Sequence, residues 1–92
     1  MLDIVKKSLL IPLEETYADE ELNSLICGCK ELIISAGVSD EVVEGNNKMV
    51  ESLVLIYCKT FFGFKSDGSV KELPSSFDLL LRQLVLTKGG NS

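Results

Sequence analysis

The chain contains no histidine, few cysteines and no apolar run long enough to cross a bilayer. Without histidine, the commonest general base of enzymes is absent, and no serine or cysteine lies in a nucleophile-elbow frame. A phosphate-binding glycine loop and the acid spacing of a calcium loop are also missing. We therefore predict a soluble protein that is not an enzyme and that binds no cofactor and no metal.

Cysteine is too scarce and too badly placed for a disulfide framework. The three residues Cys27, Cys29 and Cys58 are an odd number. Cys27 and Cys29 lie two apart on a predicted helix, so their side chains point to different sides and cannot easily share a metal or a disulfide. Because no signal peptide is evident, we expect reduced core or surface thiols in a cytoplasmic compartment.

Positive charge is in short supply. The 92 residues have a formal net charge of -5, divided into -7 for residues 1–46 and +2 for residues 47–92. An acidic chain argues against a nucleic-acid footprint, and an apolar content of 46% argues against disorder. Two interpretations explain this uneven charge. Either the first half has a solvated acidic surface, or neighbouring subunits meet through faces of opposite charge, and the first interpretation is the simpler one.

Helical periodicity runs through the chain, and no stretch alternates with the period of a strand. A short helix is predicted from Leu2 to Leu10, with Lys6 off its apolar face and Pro12 after its end. Thr16 is expected to cap the next helix, which Gly37 ends. The apolar face of that second helix consists of Leu22, Leu25, Ile26, Cys29, Leu32, Ile33 and Ala36.

The run from Val50 to Phe64 is apolar in every direction around a helix axis. We predict a central helix from about Lys48 to Phe62, with Asn47 as its cap. A one-sided surface helix needs apolar residues only at spacings of three and four, so this helix must be enclosed. We consider that part of the enclosure comes from another molecule.

Around this central helix we predict an all-α bundle of about four helices that forms one domain over residues 1–88. A loose turn at 39–44, a mobile loop at 66–69 and a flexible tail at 89–92 complete the chain. The last helix follows Pro74. Phe77, Leu80, Leu81 and Leu84 line its inner face, and Leu79 and Leu86 are left on its other side.

Three functional classes remain for a small acidic helical chain. A carrier protein attaches its arm to a serine at a helix start, whereas Ser24 follows Asn23 inside the second helix and lacks that exposed position. A small DNA-binding regulator needs exposed basic residues on a recognition helix, and here they are scattered. An interaction protein fits best. The central helix, the outer side of the last helix and the aromatic cluster together carry more apolar surface than short helices easily bury.

The sequence resembles the head-to-tail connector proteins of tailed bacteriophages, also called DNA-packaging or head-completion proteins. The segments that carry the resemblance extend from Leu2 to about Leu86. They are the opening Met1–Lys6, the helix pattern at Asp19, Leu22, Leu25 and Ile26, the break Ala36–Val38, the segment Tyr57–Phe64, and the start of the last helix at Ser76–Leu80.

The resemblance implies a homo-oligomeric ring beneath the portal of the filled capsid, with a dodecamer among the copy numbers it allows. Its partners would be the portal protein, the next head-completion or tail protein, and DNA that passes through without specific binding. The location would be the virion, and the host cytoplasm during assembly. The candidate interface residues, chosen from the sequence pattern, are Phe61, Phe62, Phe64, Lys65, Lys71, Leu79, Arg82 and Leu86.

Overall fold

The computed structural model describes residues 1–45, 47–62 and 72–88. Every regular element in these residues is a helix, which confirms the predicted all-α class. Phe64, Lys65, Lys71, the predicted loop at 66–69 and the predicted tail at 89–92 lie outside them. The helices are α1 (Leu2–Ser8), α2 (Asp19–Ser35), α3 (Asp40–Glu44), α4 (Lys48–Phe61) and α5 (Ser75–Lys88).

Helix α4 is the centre of the bundle, as predicted, and packs against α1, α2 and α5. The side chain of Asn47 accepts hydrogen bonds from the backbone N–H groups of Met49 at 2.8 Å and Val50 at 3.1 Å. Both donors belong to the first helical turn, which has no internal acceptors for them, so the predicted cap is confirmed. The helix ends at Phe61, within one residue of the predicted end.

The apolar surface of α4 is enclosed by its own chain. Val50, Leu53, Val54 and Cys58 are buried, and Met49, Leu55, Ile56 and Tyr57 are partly buried against the same core. Among the described residues, none of the large apolar side chains that are exposed belongs to α4. The bundle therefore accounts for the enclosure that the sequence demanded, and a second molecule is not needed around this helix.

Helix α2 buries a narrower stripe than predicted. Its buried residues are Leu22, Ile26, Cys29 and Ile33. Leu32 is 39% exposed, because at 100° per residue it lies about 90° around the helix from the centre of that stripe. Ala36, the last residue of the predicted face, is exposed at the end of the helix.

Gly37 ends this helix as predicted. Its φ of 112° lies in the region that side chains disfavour, and no heavy atom lies within 4 Å of the position that a Cβ would occupy. A backbone hydrogen bond from the Gly37 N–H to the carbonyl of Ile34 closes the last turn. The glycine is thus required by its backbone conformation and not by packing.

The opening helix is shorter than predicted, and the placement of Lys6 was wrong. Helix α1 ends at Ser8, and Leu10, with a φ of 62°, has left the helical conformation. Lys6 is only 2% exposed although the periodicity placed it off the apolar face. Its buried position is possible because the following segment supplies acceptors for the amine, as described below.

The predicted side-chain cap of α2 is also wrong. The N-cap residue is Ala18, and no side chain accepts a hydrogen bond there. Instead, the backbone carbonyl of Thr16 accepts from the N–H of Asp19 at 3.2 Å, so a backbone turn replaces the threonine cap. Three acids in the first turn lie where the partial positive charge of the helix end favours them.

The two remaining helices agree with the predicted faces. Helix α3 packs against α2 and buries Val43, while Val42 is partly buried. Helix α5 packs against α4. Its inner face buries Phe77 and Leu84, with Leu80 and Leu81 partly buried between them. None of the helices in the described part of the chain is both long enough and apolar enough to cross a membrane.

Candidate interaction surfaces

The outer face of α5 presents two large apolar side chains to solvent. Leu79 and Leu86 are 65% and 84% exposed. Arg82 lies between them on the same face, since residues three, four and seven apart share a helix side. Its Nε is 3.3 Å from the carboxylate of Asp78, and both side chains are largely in water, so this ion pair is weak. Three predicted interface residues therefore lie together on one exposed surface.

A groove of about 420 Å³ lies between the end of α2 and α5, and we call it the α5 groove. Leu86 and Arg82 line it, whereas Leu79 does not. Most of its lining is aliphatic, with one acid and one arginine. Concave apolar surfaces with few polar groups are typical of sites that receive a partner's side chains. The residues of the lining are Ala36, Asp78, Leu81, Arg82, Val85 and Leu86.

Residues 9–18 connect α1 to α2 and form a second exposed apolar surface, which we call the strap. Leu10 is 90% exposed, Tyr17 is 74% exposed and Leu13 is 44% exposed. The positive φ of Leu10 is uncommon for a side chain of this kind. Sequence reasoning missed this surface. The available signal was an apolar run, Leu9–Leu13, that continues across Pro12 into a segment between helices.

Lys6 holds the strap against the bundle. Its Nζ donates hydrogen bonds to the backbone carbonyls of Leu13, at 3.0 Å, and of Glu15. The same amine lies 2.8 Å from Oδ1 of Asp19 at the start of α2, which forms an ion pair. One buried ammonium thus joins α1, the strap and α2. Because a buried amine needs partners for its donors, this convergence fixes the conformation of the connecting segment.

Ile11 and Ala18 anchor the strap from the apolar side. They are 5% and 3% exposed and belong to the main core. The N–H of Ile11 also donates to the carbonyl of Lys6 at 2.8 Å. Buried Ile11 and Ala18 thus flank the exposed residues 12–17, and Leu10 and Leu13 lie beside the first of these two anchors.

The aromatic end of α4 is half-buried. The rings of Phe61 and Tyr57 are 4.9 Å apart between centroids, and that of Tyr57 is 6.3 Å from the ring of Phe77. Phe62 packs against the core from its edge. These contacts give Phe61 and Phe62 a packing role in the subunit. Their role in an interface stays a prediction, as does that of the three candidates outside the described residues.

The three cysteines differ in environment as the helix geometry predicted. Cys27 is exposed, and Cys29 and Cys58 are buried, all as free thiols. Burial, with a smaller contribution from the charge of Cys58, raises the pKa of Cys29 from 9.0 to about 12. Burial raises the pKa of Cys58 to about 11. Both thiols are protonated and unreactive in the folded protein at neutral pH.

No group of three or more acidic or cysteine side chains in residues 1–45, 47–62 and 72–88 is arranged to hold a metal ion. Ser24, the serine of the carrier-protein alternative, is the sixth residue of α2 and is exposed. Its exposure differs from the expectation, but its position within the helix is the one predicted.

Comparison with known proteins identifies the family. The sequence model of the family described as phage connector protein matches residues 1–91, which includes the strap, the central helix and the α5 groove. Comparison with curated proteins and with solved structures gave no match. A match over almost the whole chain agrees with the resemblance found in the sequence. This protein therefore belongs to the phage connector protein family, a family of structural proteins of the head-tail connector.

Proposed function

We propose that this protein assembles as a closed ring beneath the portal, extends the DNA channel and docks the next head-completion or tail protein. It works through contacts between proteins and catalyses no reaction. Subunits are made in the host cytoplasm and act at the head-tail junction of the virion. The observation that carries the proposal is the family match over residues 1–91.

The distribution of apolar surface supports this role. The subunit covers most of the apolar surface of its central helix within its own bundle, yet it leaves large apolar side chains exposed on the strap and on α5. Leu10 and Leu86 are 90% and 84% exposed, and covering such surface leucines with a partner lowers the free energy of the system. A folded subunit with two uncovered surfaces suits assembly into a larger structure.

The charge of the subunit supports a conduit for DNA. Binding to the DNA backbone depends on lysine and arginine side chains that neutralise phosphates, and the net charge here is -5. A ring of acidic subunits would let DNA pass without holding it. We therefore expect no tight, salt-sensitive complex between the isolated protein and duplex DNA, as measured by fluorescence anisotropy.

The direct test mixes the protein with the purified portal ring of the same phage. Co-sedimentation followed by electron microscopy should show an additional ring of density on one end of the portal. The unrelated portal of another phage serves as the control for nonspecific adhesion. Failure to bind the matching portal would contradict the proposal, and a mass increase after treatment with a phosphopantetheinyl transferase would support the carrier alternative instead.

A further inference from the structure

We infer that the strap of one subunit seats in the α5 groove of the next subunit and so forms the repeating contact of the ring. This inference deepens the proposed function and rests on it. It assigns the occupant of the groove as a second copy of this chain and names Leu10 and Leu13 as the inserted side chains.

The first argument is the conformation of the strap. Leu10 is 90% exposed and adopts a φ of 62°, which costs conformational energy for a leucine. The surrounding backbone is held by the Lys6 amine and by buried Ile11. A strained residue that is both fixed in place and presented to solvent points to a surface with a function. A flexible linker without a partner would need neither property.

The second argument is position. The strap precedes α2, and the groove lies beside Ala36 at the other end of that helix. At 1.5 Å per residue, the 17-residue helix separates the two surfaces by about 25 Å. They are therefore different patches of one subunit. A contact between unlike patches on two copies is heterologous, and when its rotation closes, it generates a ring.

The third argument is charge. The strap carries exposed Glu14 and Glu15, and the first turn of α2 adds further acids beside it. Two straps facing each other would place like charges together, which disfavours a symmetric contact. The groove presents the guanidinium of Arg82, which is 73% exposed and whose ion pair with Asp78 is weak. Insertion of the strap would bring its glutamates towards this arginine.

The size and chemistry of the groove favour leucine side chains as its occupant over residues 89–92. The groove has about 420 Å³ and walls formed by Leu81, Val85 and Leu86, which calls for apolar side chains. Residues 89–92 have the sequence Gly-Gly-Asn-Ser and offer none. Two leucines from a strap match the walls, and the proline between them limits the conformational freedom lost on insertion.

Two cysteine variants test the geometry directly. Leu10→Cys and Leu86→Cys are prepared separately in a Cys27→Ser background. Because the native Cys29 and Cys58 are buried, the introduced cysteine is then the exposed thiol of each variant. The mixture, assembled on the portal ring and oxidised, should give a crosslinked dimer, whereas neither variant alone should. The double variant should give a ladder of oligomers. A dimer from Leu10→Cys alone or from Leu86→Cys alone would overturn the inference, because it would show a symmetric contact.

A second test separates the contact from the stability of the subunit. Asparagine tolerates the left-handed conformation better than leucine, so Leu10→Asn should keep the fold while removing the apolar knob. We expect roughly tenfold weaker subunit association, measured by the concentration needed to saturate portal rings. Ile4→Asn, at a position of α1 that is 38% exposed and lies outside the strap and the groove lining, is the control and should leave subunit association unchanged.

The outcomes distinguish this inference from the proposed function. Rings that form on the portal with unaltered affinity for Leu10→Asn and with no crosslink between positions 10 and 86 would refute the strap contact and leave the connector ring standing. Absence of any ring on the matching portal would refute both. Charge reversal adds a third measurement, since Arg82→Glu should weaken association and Glu14→Lys with Glu15→Lys should restore it.

Discussion

Replacement of Lys6 by methionine tests the central structural claim about the strap. Methionine keeps an apolar chain of similar length in the space that the lysine stem occupies, but it removes the amine. The change leaves the carbonyls of Leu13 and Glu15 without their donor and one carboxylate oxygen of Asp19 without its ion-pair partner. It therefore isolates the polar contacts from the packing of the side chain.

The expected loss follows from the burial of these groups. Removal of one partner from a buried charged pair costs about 3 to 5 kcal/mol. Asp19 is 29% exposed, so water solvates part of its carboxylate once the amine is removed. We therefore expect a destabilisation of roughly 3 kcal/mol for Lys6→Met. For a domain of this size the corresponding fall in Tm is about 12 to 24 °C. A small domain with ordinary stability remains folded after that loss.

Urea unfolding followed by circular dichroism measures the free energy of unfolding, with Lys7→Met as the matched control. Lys7 is the neighbouring residue of α1 and is exposed, so its substitution should change the free energy by less than about 0.5 kcal/mol. Asp19→Asn completes a double-mutant cycle with Lys6→Met, and we expect a coupling of about 1 kcal/mol or more. Limited proteolysis should also show faster cleavage within the strap of Lys6→Met.

Equal stability of the Lys6→Met and Lys7→Met variants would refute this reasoning. Such a result would mean that the Lys6 amine lies in water in solution and that the strap is held only by its apolar anchors. A large loss for Lys6→Met together with zero coupling to Asp19 would refute the ion pair alone, leaving the two carbonyl contacts as the cause.

Three further predictions concern local features of the helices. The free energy of unfolding should fall as the pH rises from about 9 towards 11, because the unfolded chain loses the protons of Cys29 and Cys58 before the folded protein does. Urea titrations at each pH measure this free energy, and its dependence on pH should be weaker for Cys58→Ala. Asn47→Ala should cost about 1 kcal/mol by loss of the cap of α4, with exposed Lys48→Ala as the control in thermal melts. Gly37→Ala should destabilise by roughly 1 kcal/mol or more because of its positive φ, and an unchanged Tm would show that this turn can relax.

The sign of the pH prediction depends on the direction of the two pKa shifts. A thiol whose pKa is higher in the folded state than in the unfolded state favours folding in its protonated form. Its contribution is complete below the unfolded pKa, near 9.0, and is lost as the pH rises through the folded value. The pKa of Tyr57 is also raised, mainly by burial and to a smaller extent by the charges of Cys29 and Cys58. Its titration therefore lowers stability with rising pH in the same direction.

The parts of the fold that the sequence predicted are those set by neighbouring residues. Asn47 caps the helix that starts beside it, and Gly37 ends the helix just before it, because both effects operate within one turn. The period of apolar residues likewise predicted the inner face of α5 and most of that of α2, where Leu32 and Ala36 are the exceptions. Leu79 and Leu86 were placed on the outer side of α5 by the same argument, and both are exposed.

The burial of Lys6 and the strap were missed because they depend on contacts that no period records. A lysine beside an apolar helix face is normally solvated, and burial became possible only through carbonyls seven and nine residues further along the chain. The Thr16 cap failed for a related reason. Its backbone carbonyl, and not its hydroxyl, accepts from the N–H of Asp19. The sequence motif of a cap is present, but the chain forms a backbone turn at this position instead.

The position of the exposed apolar surface says more about assembly than its amount. The apolar character of α4 suggested a partner, but a helix that contacts α1, α2 and α5 needs apolar residues in several directions, so the pattern reflects its central place. The most exposed leucines, Leu10, Leu79 and Leu86, lie instead on the strap and on α5. A subunit with one adhesive patch can only form a closed dimer through it, whereas a ring requires two complementary patches that differ. The strap carries exposed Glu14 and Glu15, and the α5 groove is lined by Arg82 together with Asp78; in the proposed ring, their separation along one rigid helix would set the angle between neighbouring subunits.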